Sequence, residues 1–171
     1  LSQLFGKDMI IANATGCSSI YSGSTPSTPF CKDENNNGPA WANSLFEDNA
    51  EFGYGMKVAN DYKTLQILNA INDNFNDLEP KLQEVLKVYQ DNINNRDKQR
   101  EIKDEIISLV KESKNEGIKT LLTYENDLIT KSQWIIGGDG WAYDIGFGGL
   151  DHVLANNENV NILVLDTEVY S

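Results

Sequence analysis

The chain has 171 residues and a formal net charge of −12 at pH 7, and 40% of its residues are hydrophobic. Such a length can bury one substantial core, so we expect one domain. The negative charge argues against nucleic-acid binding, which needs a basic surface, and no apolar run approaches the roughly 18 residues that cross a membrane.

The first residues contain neither an initial Met nor the charged and then apolar pattern of a signal peptide. We therefore expect a piece of a longer, cytoplasmic protein. Cys17 and Cys31 could form one disulfide, but nothing indicates secretion, and free thiols or metal ligands are the better expectation. Asn13-Ala14-Thr15 matches a glycosylation sequon, yet Asn13 falls at the predicted end of a buried strand.

The first half of the chain predicts a strand, a long loop and a helix. Residues 9–12 (MIIA) form a short apolar run that is typical of a buried strand. Residues 16–43 are rich in Ser, Thr, Pro, Gly and Asn, and so long a loop is uncommon in a compact domain unless it has a function. From about Phe46 to Phe75, apolar residues recur every three or four positions and predict a helix.

Two further helical patterns lie between about residues 79 and 116, and turn residues at 92–95 separate them. Their charges are mixed and their apolar residues lie on one side. This pattern favours a helical hairpin on the domain surface, for which we expect no chemical role. We therefore predict one domain over residues 1–171 with a helical insertion at about 79–116.

The last third predicts a strand, a turn, a helix and a second strand. Residues 133–136 (QWII) and 160–165 (VNILVL) are mostly apolar, residues 137–140 are rich in glycine, and a helix is expected over about 142–155. Because both strands are almost continuously apolar, we expect a parallel sheet covered on both faces. The predicted fold class is α/β.

Polar clusters follow both of these strands, at the edge where parallel sheets bind ligands. Gly138-Asp139-Gly140 follows the first strand and Asp166-Thr167 the second. Glycines let the backbone approach a diphosphate, and the start of a helix favours its negative charge. Asp139 would repel a bare diphosphate, but Mg²⁺ bound by Asp139, Thr167 and a backbone carbonyl removes the conflict. Alternatively, the Gly-Asp-Gly sequence only forms a tight turn.

These residues resemble a known motif. Gly138-Asp139-Gly140, with Thr167 placed 28 positions after Asp139, resembles the metal–diphosphate motif of thiamine-diphosphate enzymes, whose common form has Asn in place of Thr. Residues 137–152 (GGDGWAYDIGFGGLDH) and 166–171 (DTEVYS) closely resemble pyruvate:ferredoxin (flavodoxin) oxidoreductases, in which Thr is the expected variant. Residues 12–21 and 38–53 match that family too, so the resemblance covers the chain except for about 79–120.

The resemblance implies a parallel-sheet thiamine-diphosphate-binding fold with an inserted helical hairpin. It implies that Asp139, the Thr167 hydroxyl and the Val169 carbonyl bind Mg²⁺. The residues that would contact thiamine diphosphate are Gly138, Asp139, Gly140, Trp141, Thr167, Val169, Tyr170 and Ser171. Cys17 would bind the nearest 4Fe-4S cluster, whose other three cysteine ligands, like the glutamate that activates thiamine, are expected outside this chain.

The implied activity is the oxidative decarboxylation of pyruvate to acetyl-CoA and CO₂, with electrons passed through 4Fe-4S clusters. The implied partners are pyruvate, coenzyme A, ferredoxin or flavodoxin, the rest of the parent chain and a second copy in a homodimer. No catalytic side chain is expected in this segment, and Cys31 and His152 are expected to be structural. The alternatives are a thiamine-dependent decarboxylase without redox chemistry, or an isolated domain that is catalytically inert.

Overall fold

A computed structural model of the protein describes residues 1–168. The chain divides into two compact units, one formed by Leu1–Val58 together with the chain from Lys131 onward, and the other by Ala59–Thr130. The predicted single domain with an insertion at about 79–116 stays a prediction. No helix within the described residues combines the length and the apolar character that crossing a membrane requires.

The first unit contains a four-stranded sheet. Its strands are β1 (Met9–Asn13), β2 (Ala40–Asn43), β3 (Ser132–Gly138) and β4 (Asn161–Leu165). They lie in the order β2-β1-β3-β4, and all three pairings are parallel. The predicted α/β class with a parallel sheet is confirmed.

The two central strands, β1 and β3, are buried on both faces, as their apolar residues predict, whereas β4 is half-buried. Alternate side chains of a strand point to opposite faces, and successive residues of β3 enter different clusters. Ile135 packs in one cluster with Trp141 and Leu150, whereas Trp134 and Ile136 pack in another. Burial on both faces explains why these strands lack alternating polar residues.

Short helices precede β1 and connect the later strands. They are α1 (Ser2–Phe5), α2 (Cys17–Gly23) and α6 (Phe147–Ala155), and a π-helix, Gly140–Ile145, follows β3. The helix α3 (Asn49–Asn74) contains the boundary between the two units. The prediction of one α-helix over about 142–155 is wrong in its first part, because a π-helix ends at Ile145 and α6 begins after Gly146.

The long loop predicted for residues 16–43 is also wrong in part. It contains α2 near its start and β2 at its end. The seven residues of α2 include three serines, too polar for a helical apolar stripe to appear. β2 is a short edge strand whose four residues are exposed or half-buried, so it carries no buried-strand pattern.

The second unit is helical and has its own core. It contains the later part of α3, then α4 (Pro80–Asp91) and α5 (Arg96–Glu112), with 3₁₀ turns at Phe75–Asp77 and Ile118–Tyr124. Its fully buried residues include Ile67, Ile71, Leu86, Ile106 and Ile118. Pro80 suits the first turn of α4, where an N–H has no helical partner, and Asn95 caps α5 by accepting from the N–H of Lys98 at 3.1 Å.

Candidate functional site

The carboxyl ends of the strands enclose a cleft of about 500 Å³, a volume typical of small-molecule sites. Its walls come from Thr15–Ser18 after β1, Gly138–Trp141 at the end of β3, and Leu165 and Thr167 at the end of β4. In the strand order β2-β1-β3-β4, the chain passes from β1 outward to β2 at one edge of the sheet, and from β3 outward to β4 at the opposite edge. Such a switch point is where open parallel sheets bind ligands.

Asp139 and Thr167 meet at this cleft. Asp139 Oδ2 accepts hydrogen bonds from the Thr167 backbone N–H at 3.2 Å and from the Thr167 hydroxyl at 3.1 Å. Asp139 Oδ1 accepts from the Gly140 N–H at 3.0 Å. Partial burial raises the pKa of Asp139, but these hydrogen bonds outweigh burial and hold the pKa below its usual value. The carboxylate is therefore ionised at neutral pH.

The spacing of these two oxygens suits a magnesium ion. Mg²⁺ binds oxygen ligands at about 2.0–2.1 Å in near-octahedral geometry, which places neighbouring ligands about 3.0 Å apart. Asp139 Oδ2 and Thr167 Oγ1 lie 3.1 Å apart. Both atoms can therefore occupy adjacent ligand positions of one ion with little movement.

Glycines leave room in the cleft. A Cβ atom added at Gly138 would meet only the Leu165 carbonyl oxygen, at 3.8 Å, and one added at Gly16 would meet nothing within 4 Å. The protein itself therefore packs nothing against these two positions, although both border the cleft. An anionic group can approach the backbone closely at this point.

Trp141 borders the cleft, but its side chain is wholly buried. A Cβ atom added at Gly137 or at Gly146 would overlap its ring, so the indole packs directly against both glycines. Trp141 thus anchors the π-helix on β3. Its predicted contact with a cofactor stays a prediction.

Cys17 is the first residue of α2, is exposed and borders the cleft. Cys31 is exposed as well, no disulfide joins the two cysteines, and Cys31 does not line this cleft. His152 is exposed on α6.

No three His, Cys, Asp or Glu side chains within residues 1–168 converge on a possible metal site. A cluster bound by Cys17 thus needs thiolates from elsewhere. A cation at Asp139 needs hydroxyl, backbone, phosphate or water oxygens for its remaining positions. The predicted ligand Val169 and the predicted contacts Tyr170 and Ser171 lie outside the described residues.

A buried polar network stabilises the part of the cleft wall that follows β1. The sequence did not predict this network. Asn13 is only 1% exposed. Its amide donates to Ser18 Oγ at 2.9 Å, and its oxygen accepts from Trp41 Nε1 at 3.2 Å. Asn13 thereby ties β1, β2 and the first turn of α2 together, next to Cys17, and its burial argues against modification of the sequon.

A second buried amide supports the same region. Asn49 donates to the Ile136 carbonyl of β3 at 3.0 Å and accepts from Ser44 Oγ at 2.8 Å. The sequence offered no sign that Asn49 is a structural centre, and for Asn13 it showed only a polar residue directly after the apolar run 9–12.

The fold and the cleft together define an α/β domain with a four-stranded parallel sheet and a ligand-sized cleft at the carboxyl ends of its strands. The comparisons with known proteins are specific. The chain is 50% identical over its whole length to the probable pyruvate-flavodoxin oxidoreductase of Escherichia coli (strain K12). It is likewise 50% identical to the pyruvate:ferredoxin oxidoreductase of Moorella thermoacetica, and 48% identical to the mitochondrial pyruvate dehydrogenase [NADP(+)] of Euglena gracilis.

The chain spans only 14%, 15% and 10% of the length of these three relatives, respectively. No protein-family model matches it. The resemblance stated from the motifs is confirmed: the whole chain aligns at about half identity with one segment of the pyruvate–flavodoxin and pyruvate:ferredoxin oxidoreductases.

Proposed function

We propose that this chain is the part of a pyruvate oxidoreductase that binds the diphosphate and Mg²⁺ of thiamine diphosphate and supplies one ligand of the nearest 4Fe-4S cluster. The parent enzyme oxidatively decarboxylates pyruvate to acetyl-CoA and CO₂ and passes electrons to ferredoxin or flavodoxin. One observation carries the proposal: Asp139 Oδ2 lies 3.1 Å from the Thr167 hydroxyl at the ends of adjacent parallel strands, beside the open Gly138 backbone.

In this proposal Asp139, Thr167 and the Val169 carbonyl hold the magnesium ion. The ion offsets the repulsion between Asp139 and a diphosphate that approaches Gly138 and Gly140. Thiamine diphosphate, when bound, supplies the nucleophilic carbon and the electron sink for decarboxylation of a 2-oxoacid. The residues of this chain position that group and hold the magnesium ion that offsets its negative charge. Trp141, Tyr170 and Ser171 complete its surroundings.

Cys17 is proposed as a cluster ligand because it combines an exposed thiol with a position in the same cleft as Asp139. A cluster bound there would lie next to the diphosphate site, which suits transfer of single electrons. The other cysteine ligands are proposed to come from outside this chain. A thiamine-dependent decarboxylase without redox chemistry needs no exposed thiol at this position, so Cys17 favours the oxidoreductase.

We propose that other parts of the parent enzyme determine which electron acceptor it uses. Relatives named for flavodoxin, ferredoxin and NADP(+) are 50%, 50% and 48% identical to this chain, respectively. Such even identity across different named acceptors supports a role for this segment in the shared chemistry. We further propose a cytoplasmic homodimer that also uses coenzyme A, and an inactive state for the isolated chain, because thiamine enzymes hold the cofactor between two domains.

The test is an Asp139→Asn variant of the full-length protein that contains this chain. We expect it to lose magnesium-dependent binding of thiamine diphosphate, measured by titration calorimetry with and without Mg²⁺, because an amide is a weaker ligand than a carboxylate. Asp151→Asn is the matched control, since Asp151 is exposed on α6 and does not line the cleft. Unchanged binding by Asp139→Asn would refute the proposed magnesium site.

A further inference from the structure

A second bridge joins the two segments that carry Asp139 and Thr167. The hydroxyl of Tyr143 donates to Asp166 Oδ2 at 2.9 Å. Tyr143 lies in the π-helix that begins directly after Asp139, and Asp166 directly precedes Thr167. Two neighbouring side-chain bridges therefore connect residues 139–143 to residues 166–167.

Asp166 fixes the backbone on both sides of Thr167. One of its oxygens is held by Tyr143, and the other, Oδ1, accepts from the N–H of Glu168 at 2.9 Å. Glu168 has a φ of 56°, so the chain turns sharply just after Thr167. The carboxylate thus sets the turn from which the Thr167 hydroxyl reaches Asp139.

Stability of the fold does not account for the Tyr143 contact. The side chain is 59% exposed, and water can replace an exposed hydrogen bond at little cost. The bond to Asp166 raises the pKa of Tyr143, and burial and the charges of Asp166 and Asp139 raise it further. The hydroxyl therefore keeps its proton and remains a donor to Asp166.

We propose that Tyr143 and Asp166 are positioning residues that hold the Thr167 hydroxyl at the ligand position next to Asp139. This inference rests on the proposed magnesium site. Mg²⁺ demands near-ideal octahedral geometry at short distances, whereas Ca²⁺ accepts longer and irregular ones. A Thr167 hydroxyl that is held less firmly therefore weakens Mg²⁺ binding more than Ca²⁺ binding.

The experiment compares the two ions in the full-length protein after divalent cations are removed with EDTA. With thiamine diphosphate at a fixed concentration, Mg²⁺ and Ca²⁺ are titrated separately and cofactor binding is followed by calorimetry. We expect Tyr143→Phe to raise the apparent Kd for Mg²⁺ about five- to tenfold, in the range for loss of one net hydrogen bond, and to change the Kd for Ca²⁺ less than about twofold.

Tyr62→Phe is the matched control, because Tyr62 is 61% exposed and lies in the other unit. It should leave both constants unchanged. Asp166→Asn should weaken Mg²⁺ binding at least as much as Tyr143→Phe, because it also weakens the contact with the Glu168 N–H, and the double variant should lose little more than Asp166→Asn alone, since both changes remove the Tyr143–Asp166 contact. Should Asp166→Asn fail to fold, Tyr143→Phe, which removes one exposed oxygen, decides the question.

Unchanged constants for Tyr143→Phe would overturn the inference, as would equal weakening of both ions or fully additive effects in the double variant. If the wild-type protein binds Mg²⁺ and thiamine diphosphate and the Tyr143→Phe variant binds them equally well, only this inference is refuted. Wild-type protein that binds thiamine diphosphate with no need for a divalent cation would remove the proposed magnesium site, and this inference with it.

Discussion

The Asp139 carboxylate and the Thr167 hydroxyl lie 3.1 Å apart although 28 positions separate them in the chain. Parallel pairing produces this proximity. Gly138 of β3 lies opposite Leu165 of β4, so the residues that follow the two strands emerge side by side. The intervening helix α6 and its connections return the chain to the same edge of the sheet, which is how a distant hydroxyl becomes a neighbour of this carboxylate.

The first prediction concerns the Thr167 hydroxyl. Thr167→Val keeps the branched shape but removes the oxygen, and we expect magnesium-dependent binding of thiamine diphosphate to weaken at least about tenfold. Thr167→Ser keeps the oxygen and should remain within about threefold of the wild type, since the loss of one methyl group adds side-chain freedom only. Calorimetric titration of Mg²⁺ at fixed cofactor concentration measures both. Equal Mg²⁺ affinities of the Thr167→Val variant and the wild type would show that the hydroxyl is not a ligand.

The second prediction distinguishes the roles of two adjacent glycines, Gly137 and Gly138. A Cβ atom at Gly138 has space within the protein but enters the cleft, whereas one at Gly137 overlaps the buried Trp141 ring and lies 3.0 Å from Ala14 Cβ. Gly138→Ala should therefore weaken cofactor binding and leave thermal stability unchanged. Gly137→Ala should destabilise the fold by about 1–3 kcal/mol, as overpacking does.

Thermal unfolding of the cofactor-free protein and calorimetry on the folded variants distinguish the two glycines. The interpretation fails if Gly138→Ala unfolds at a lower temperature than the wild type, or if it binds thiamine diphosphate equally well.

The third prediction uses the two cysteines as a matched pair, since both are exposed and neither is in a disulfide. Cys17→Ser in the full-length protein should lose one cluster, or about four iron atoms per chain, and leave the other clusters in place. Cys31→Ser should retain the wild-type iron content. Iron and acid-labile sulfide analysis gives the answer, and a full complement of iron in Cys17→Ser would exclude Cys17 as a ligand.

Elements with a local apolar pattern could be predicted from the sequence. β1, β3 and β4 are short apolar runs, and the rule that parallel strands end at one edge was enough to expect Asp139 and Thr167 together. β2 and α2 could not be found in this way. β2 is a four-residue edge strand with one large apolar residue, Trp41, and α2 is only seven residues long.

Contacts between polar side chains were beyond prediction for another reason. Asn13 meets Trp41 only because β1 and β2 pair in parallel, with Ile11 opposite Trp41. Tyr143 meets Asp166 only because a π-helix, which no apolar pattern signals, follows Asp139. The boundary between the two units falls inside the continuous helix α3, where no loop or turn interrupts the chain.

The last prediction concerns pH and the helical unit. Glu79, just before α4, accepts from Ser113 Oγ at 2.8 Å and from the Lys114 N–H at 3.1 Å, at the end of α5. A hydrogen bond from its own backbone N–H and these two hold the pKa of Glu79 below its usual value of about 4.5. Because the folded pKa is the lower one, the stabilisation is complete above about pH 4.5 and is lost as the pH falls through the folded pKa.

Glu79→Gln should therefore lower the unfolding temperature, measured by circular dichroism, at pH 7 and progressively less at acidic pH. Glu84→Gln, an exposed position on α4, should behave as wild type throughout, and a Glu79→Gln effect of equal size at every pH would contradict this account.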